Sequence, residues 1–111
     1  MENRIKSVTE EVSKELQRAF GDKVDRIILY GSYARGDFTM DSDVDIIVLL
    51  NCGQDEIKEK RKLISRIASR AGLKNDIMVS ILARDSRDFR ENMKSRPFYQ
   101  NVEREGVEIY G

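Results

Sequence analysis

The sequence contains no histidine and no tryptophan, and it has one cysteine and one proline among its 111 residues. The absence of histidine excludes Ser-His and Cys-His catalysis and every His-ligated zinc site. Cys52 has no second cysteine with which to form an internal disulfide. Any chemistry must therefore come from carboxylates, hydroxyls, amides and basic groups.

The chain also lacks an excess of charge of either sign, since Lys and Arg number 20 and Asp and Glu number 20. Non-specific binding to a nucleic-acid backbone depends on excess positive charge, so we expect no extended nucleic-acid surface, although a single nucleotide could still bind. No apolar run approaches the ~20 residues that cross a bilayer. Residues 1–11 lack the apolar core of a secretory signal. We therefore expect one domain over residues 1–111, located in the cytoplasm.

Hydrophobic periodicity predicts alternating helices and strands. Apolar residues spaced by three and four predict helices over residues 4–20 and Asp55–Ala71, the second capped by Gly72. Runs of β-branched residues predict strands over Val24–Tyr30, Val44–Leu50 and Asp76–Leu82. Shorter helices are expected over Asp85–Ser95 and Phe98–Glu105, followed by a closing strand over Gly106–Tyr110. The predicted fold class is α/β (α+β), with a single mixed β-sheet packed with helices.

Gly31 and Ser32 begin a connection of about a dozen residues, which is longer than a tight hairpin turn and typical of a functional loop. A glycine at the end of a strand lets the backbone turn sharply and approach a ligand closely. The amides that follow, and the Ser32 hydroxyl, could point at a phosphate. Arg35 could pair with a phosphate oxygen or form an exposed ion pair. Taken alone, Gly-Ser after a strand is typical of an ordinary turn.

Asp43 and Asp45 lie two residues apart at the start of the second predicted strand, so their side chains should share one face. Two close carboxylates repel each other and resist burial. A divalent cation resolves that conflict, and magnesium takes one or two carboxylates together with substrate phosphates and water. The alternative is that Asp43 caps the turn while Asp45 faces water, although the apolar run 46–50 places Asp45 at the edge of the core.

Asp76 is placed at the start of the third predicted strand. If that strand neighbours the second, Asp76 can reach the two other aspartates. It would then be a third metal ligand or the base for an incoming hydroxyl. The alternative is an aspartate that only closes a turn at the edge of a strand.

These residues fall on a known pattern, in which Gly-Ser is followed after ten residues by Asp-x-Asp. The chain resembles the DNA polymerase beta-type nucleotidyltransferase superfamily, and its ending resembles that of the minimal nucleotidyltransferases. Nothing in it resembles the additional acceptor-binding domain of larger relatives. The matching positions are Gly31, Ser32, Ala34, Arg35, Gly36, Ser42, Asp43, Asp45 and Val48.

The resemblance implies a fold like the polymerase beta palm and a definite reaction. Such enzymes transfer a nucleoside monophosphate, here expected to be AMP from ATP, to a hydroxyl acceptor and release pyrophosphate. The carboxylates Asp43, Asp45 and Asp76 would be catalytic and would hold one or two magnesium ions, which neutralise the charge that develops on the phosphates. Gly31, Ser32 and Arg35 would bind the nucleotide.

The resemblance also suggests a partner. Similar minimal nucleotidyltransferases are often encoded beside a HEPN-domain ribonuclease toxin and act as its antitoxin by adenylylating a tyrosine. Two alternatives remain at this point: a catalytically silent antitoxin that neutralises the HEPN protein by contact, and a tRNA or small-molecule nucleotidyltransferase that needs a partner chain. An enzyme is favoured by the complete set Gly31, Ser32, Asp43, Asp45 and Asp76.

Overall fold

A computed structural model describes residues 3–111, which form a four-stranded sheet with helices on both faces. The helices are α1 (Asn3–Phe20), α2 (Ser32–Arg35), α3 (Gln54–Glu59), α4 (Arg61–Asn75), α5 (Ser86–Glu91) and α6 (Pro97–Glu105). The strands are β1 (Val24–Tyr30), β2 (Val44–Leu50), β3 (Val79–Asp85) and β4 (Val107–Tyr110). A short 3-10 turn, Gly21–Lys23, joins α1 to β1.

The sheet has the strand order β3-β2-β1-β4 and mixed direction. β1 pairs antiparallel with both β2 and β4, whereas β2 and β3 are parallel. A parallel pair needs a crossover, which α3 and α4 provide here. The predicted α/β fold class with a single mixed sheet is confirmed, and the bounds predicted for the first two strands agree with β1 and β2.

Side chains of β2 alternate between two apolar layers because successive residues of a strand point to opposite faces. Ile46 and Val48 pack with α1 and α4 on one face. Ile47 and Leu49 pack with α5 and α6 on the other face, where Phe89 is fully buried. β2 is therefore apolar on both faces. Within residues 3–111, no helix combines the length and hydropathy that a bilayer crossing requires.

The segment between β2 and β3 differs from the prediction. The single helix expected over Asp55–Ala71 is divided at Lys60 into α3 and α4, and α4 continues beyond Gly72 to Asn75. The prediction that Gly72 caps this helix is wrong. Asp76 caps it instead, in the left-handed conformation with φ 52°. This cap delays the start of β3 to Val79, three residues after the predicted start.

Gly72 lies inside α4 because the chain that follows the helix passes directly over it. A Cβ atom at this position would lie 2.6 Å from the Ile77 carbonyl oxygen. The backbone of residue 77 therefore leaves no room for a side chain at position 72. The amide of Ile77 donates to the Gly72 carbonyl at 3.1 Å. This close approach fixes where the segment 76–79 runs.

We expect Gly72→Ala to destabilise the protein, even though alanine favours a helix by about 1 kcal/mol over glycine. The added methyl group must displace backbone, and overpacking of this kind typically costs about 1–3 kcal/mol. Urea denaturation should show a lower free energy of unfolding. Ser69→Ala, at an exposed position of the same helix, is the control and should leave stability unchanged or raise it. A Gly72→Ala variant as stable as this control would contradict the proposed close packing.

Candidate active site

Three chain segments meet at one edge of the sheet. The end of β1 lies beside the start of β2 because these strands are antiparallel, and Tyr30 pairs with Asp45. The start of β3 lies on the other side of β2 because those strands are parallel, and Val44 pairs with Val79. The Val44 amide also donates to the Met78 carbonyl at 2.9 Å. The topology thus brings together the regions of all the predicted site residues.

Gly31 lies directly beside Asp45, one member of the acidic pair. Its φ of 77° and ψ of −158° lie in a region that is almost restricted to glycine. A Cβ atom there would lie 2.5 Å from Asp45 Oδ2. Gly31 therefore both turns the chain at the end of β1 and leaves room for the Asp45 carboxylate.

The turn at Gly31 leads into α2. The amides of Ala34 and Arg35 both donate to the Gly31 carbonyl at 3.1 Å, so the helical hydrogen bonds begin with these two donors. The amides of Ser32 and Tyr33 precede them and belong to the N-terminal group that has no intrahelical acceptor. This is the arrangement that the sequence predicts for contact with phosphate.

The loop that follows is fixed by local hydrogen bonds. The Thr39 amide donates to Ser42 Oγ at 2.8 Å, and the Ser42 amide donates back to the Thr39 carbonyl at 3.1 Å. Ser42 directly precedes Asp43. Its hydroxyl group therefore helps to determine where the chain enters β2.

Asp43 and Asp45 differ in exposure and interact electrostatically. Asp43 is exposed, whereas Asp45 is half-buried beside Gly31. Burial raises the pKa of Asp45 and the negative charge of Asp43 raises it further, while the positive charge of Arg35 opposes both effects. The pair thus carries the unfavourable like-charge interaction that a cation would relieve.

Two further polar side chains, which the sequence analysis missed, belong to the same face. Tyr30 and Ser80 flank Asp45 on the neighbouring strands, because each pairs with it in the sheet. Burial and the charge of Asp45 raise the pKa of the Tyr30 hydroxyl. The β1–β2 pairing could have indicated Tyr30, but Ser80 depends on the parallel register of β3, which periodicity does not determine.

Arg35 forms the ion pairs that were the alternative to phosphate binding. Its Nε lies 3.2 Å from Asp37 Oδ2, and its Nη1 lies 3.7 Å from Glu105 Oε2. These contacts raise the pKa of the guanidinium group. The positive charge of Arg35 also lowers the pKa of Asp45, so Arg35 acts electrostatically on the acidic pair. Phosphate binding by Arg35 stays a prediction.

Asp76 is exposed at the end of α4, where its carbonyl accepts a hydrogen bond from Arg4 Nη1 at 3.4 Å. It lines a groove of about 720 Å³ that also contains Asp43. We call this the Leu73 groove; it is bounded by loop residues 40–43, the C-terminal half of α4 including Leu73, and residues 76–79. Asp76 and Asp43 therefore share one depression in the surface.

The three predicted aspartates do not form a ready metal cage. Within residues 3–111, no group of three or more Asp, Glu or Cys side chains is close enough to hold a metal ion. Asp43 and Asp45 are brought together, while Asp76 lies across the groove. Its role as a third ligand or as a base stays a prediction.

Comparison with known proteins identifies the family of this chain. The sequence model described as "Nucleotidyltransferase domain" matches residues 9–107. The chain belongs to this family. A protein of Methanocaldococcus jannaschii, named as a putative protein adenylyltransferase, is 40% identical over 105 residues, which cover 95% of this chain and 98% of the relative.

Solved structures of toxin–antitoxin complexes share the fold of this nucleotidyltransferase domain. One contains AMP-PNP and superposes with a TM-score of 0.61 at 25% identity, covering 93% of this chain and 73% of that chain. Another is a tri-AMPylated HEPN toxin of Shewanella oneidensis with an MNT antitoxin, with a TM-score of 0.56 at 22% identity, covering 96% and 72%. The second likeness concerns the fold alone.

We expect Asp45→Asn to stabilise the protein at pH 7 when divalent cations and nucleotide are absent. The raised pKa means that folding disfavours the charged carboxylate, so wild-type stability falls as pH rises through the folded pKa. Below about pH 4 the Asp45 carboxyl group is protonated in both the folded and the unfolded state, so the difference in stability between Asp45→Asn and wild type should vanish. Thermal denaturation of both proteins from pH 3 to pH 8 measures this difference. Asp41→Asn, at an exposed loop position, controls for the loss of one charge. A variant that melts below wild type at pH 7 would contradict the electrostatic account.

We expect Gly31→Ala to lose nucleotide binding, because its methyl group would displace the Asp45 carboxylate. The unfavourable backbone conformation should also cost about 1–3 kcal/mol of stability. Gly21→Ala is a matched control, since Gly21 has a φ of 57° and open space around its Cβ position. Calorimetric titration with ATP and magnesium should give wild-type affinity for the control. Equal affinity for folded Gly31→Ala would show that the contact with Asp45 is unimportant for the ligand.

Proposed function

We propose that this domain transfers AMP from ATP to a hydroxyl group of a partner protein in the cytoplasm, and that the partner is a HEPN-domain toxin. The contact between Gly31 and Asp45 carries the proposal, because it joins the phosphate-binding turn to the acidic pair. The name of the M. jannaschii relative supports protein adenylylation. The toxin–antitoxin complexes with AMP-PNP and with an AMPylated HEPN toxin support the nucleotide and the kind of partner.

The residues present fit magnesium that is shared with a nucleotide. Asp43 and Asp45 offer two carboxylates, and a nucleotide with water would supply the remaining oxygen ligands. Burial and the charge of Asp43 raise the pKa of Asp45 more than the charge of Arg35 lowers it, so a further cation beside the pair would be favourable. When bound, magnesium would neutralise charge on the triphosphate and on the departing pyrophosphate.

The chain's own groups divide the remaining work. The turn at Gly31 lets the backbone approach the triphosphate, with the Ser32 hydroxyl and the first amides of α2 as donors. Asp43 and Asp45 would hold the magnesium beside this turn. Positioning and charge stabilisation are the main sources of catalysis in such transfers.

The transfer itself exchanges one P–O bond for another. The acceptor oxygen forms a bond to the α-phosphorus, while the bond from that phosphorus to the β-phosphate oxygen breaks and releases pyrophosphate. The proton of the acceptor hydroxyl passes to the Asp76 carboxylate. Asp76 is suitably exposed and shares the Leu73 groove with Asp43.

The test is transfer of label from ATP carrying a radioactive α-phosphate to a HEPN-domain protein from the same genome. We expect the wild-type domain to label that protein and Asp45→Asn to fail. We expect Asp76→Asn to bind ATP normally but to transfer about 100-fold more slowly, the usual scale for loss of a general base. Ser65→Ala, at an exposed position of α4 outside the Leu73 groove, is the control with expected wild-type activity.

Two results would contradict this assignment in different ways. Labelling by Asp76→Asn at the wild-type rate would remove Asp76 from the mechanism. A wild-type domain that silences the HEPN protein without labelling it would instead favour the antitoxin that acts by contact alone.

A further inference from the structure

Exposed apolar side chains are concentrated beside the acidic pair. Within residues 3–111, the three most exposed large hydrophobic residues are Met40, Leu73 and Met78, at 98%, 86% and 71% of their full surface. The other exposed members of this class reach only 37–43%. All three of the most exposed ones line the Leu73 groove. Such a concentration is typical of an interaction surface.

These side chains come from three separate parts of the chain. Met40 belongs to the loop before β2, Leu73 to the last turn of α4, and Met78 to the segment before β3. None of them is needed to fill the core, since each is largely exposed. Methionine side chains are flexible and adapt to irregular partners. The groove therefore presents an adaptable apolar surface at the margin of the site.

The direction of the reaction determines which substrate reaches this groove. The attacking and leaving oxygens of such a transfer lie roughly in line across the phosphorus. In the proposed function the pyrophosphate lies toward Gly31, at the end of β1. The acceptor must then approach from the opposite side of Asp43 and Asp45, which is the β3 side. The Leu73 groove opens on that side and contains Asp43.

The charges in the groove distinguish among possible occupants. Among the described residues 3–111, it is lined by three aspartates, Asp41, Asp43 and Asp76, and by one cationic side chain, that of Arg4. This excess of negative charge disfavours a polyphosphate tail or an RNA acceptor, because both are anionic. It favours a polypeptide whose apolar side chains are accompanied by Lys or Arg.

We propose that the Leu73 groove is the docking surface for the acceptor protein, and that Met40, Leu73 and Met78 bind apolar residues beside the hydroxyl group that receives AMP. The proposal rests on the proposed function for the position of the reaction. It adds the surface that selects the acceptor and the chemistry of the segment that fits it: apolar, with basic residues nearby.

The test is a triple variant, Met40→Gln, Leu73→Asn and Met78→Gln, which keeps side chains of similar size and removes apolar character. With a HEPN-domain protein from the same genome as acceptor, we expect its KM to rise about tenfold or more. The kcat at saturating acceptor and the Kd for ATP should change by less than about twofold, because no residue of the nucleotide site is altered. All three positions are exposed, so the melting temperature should stay near that of wild type.

The matched control removes exposed apolar groups from the opposite edge of the sheet. Val107→Gln with Tyr110→Gln changes two half-exposed residues of β4. We expect this double variant to have the wild-type KM for the acceptor. An equal rise in KM for both variants would mean that apolar surface in general binds the partner, which would overturn the assignment to the groove.

Several other results would overturn the proposal. One is an unchanged KM in the triple variant. Another is a parallel loss of ATP affinity, which would place the nucleotide in the groove. A third is a wild-type dimer that the triple variant converts to monomer.

If wild type labels no partner, the proposed function fails. Calorimetric binding of the HEPN protein then tests separately whether the groove is a docking surface. A Kd about tenfold weaker for the triple variant supports docking there. An equal Kd, or no binding to wild type, overturns it.

Discussion

Repulsion between the two carboxylates at the start of β2 is the constraint on which the site depends. Burial and the charge of Asp43 both raise the pKa of Asp45, so moving this carboxylate deeper into the protein would be still less favourable. It cannot move toward β1 if any side chain replaces Gly31, because a Cβ atom there would lie 2.5 Å from its Oδ2. The folded chain holds this unfavourable pair in place, and in the proposed function a cation supplied with the nucleotide relieves the repulsion.

The sheet topology explains why the other groups surround this pair. An antiparallel neighbour brings the end of β1 to the start of β2, and a parallel neighbour brings the start of β3 to the same edge. The turn at Gly31 and the Leu73 groove consequently lie on opposite sides of Asp43 and Asp45. In the proposed function, the nucleotide and the acceptor would therefore approach the α-phosphorus from opposite directions.

Much of this arrangement could be predicted from the sequence, because strong local patterns carry it. Val24–Tyr30 and Val44–Leu50 are strands in the structure because their apolar, β-branched residues fill both faces of the sheet. The Gly-Ser turn and the Asp-x-Asp pair are local as well. The observed contact between Gly31 and Asp45 follows from the pairing of β1 with β2.

The parts that depend on tertiary packing could not be predicted in this way. Gly72 resembles a helix cap in sequence, but it lies within α4 because the Ile77 carbonyl passes over it. The same packing moves the start of β3 and places Ser80 next to Asp45. Leu73 and Met78 would be assigned to the core by hydropathy alone, and only the structure shows them exposed beside Asp43.

The central claim is that a divalent cation binds between Asp43 and Asp45 when a nucleotide occupies the turn at Gly31. Manganese in place of magnesium, added with AMP-PNP to isotopically labelled protein, tests this directly, because its unpaired electrons broaden nearby NMR signals. The account predicts selective broadening of the backbone amides of Gly31, Ser32, Val44 and Asp45, with the amides of β4 residues 108–110 much less affected. Broadening centred elsewhere, or none at Gly31 and Asp45, would contradict it.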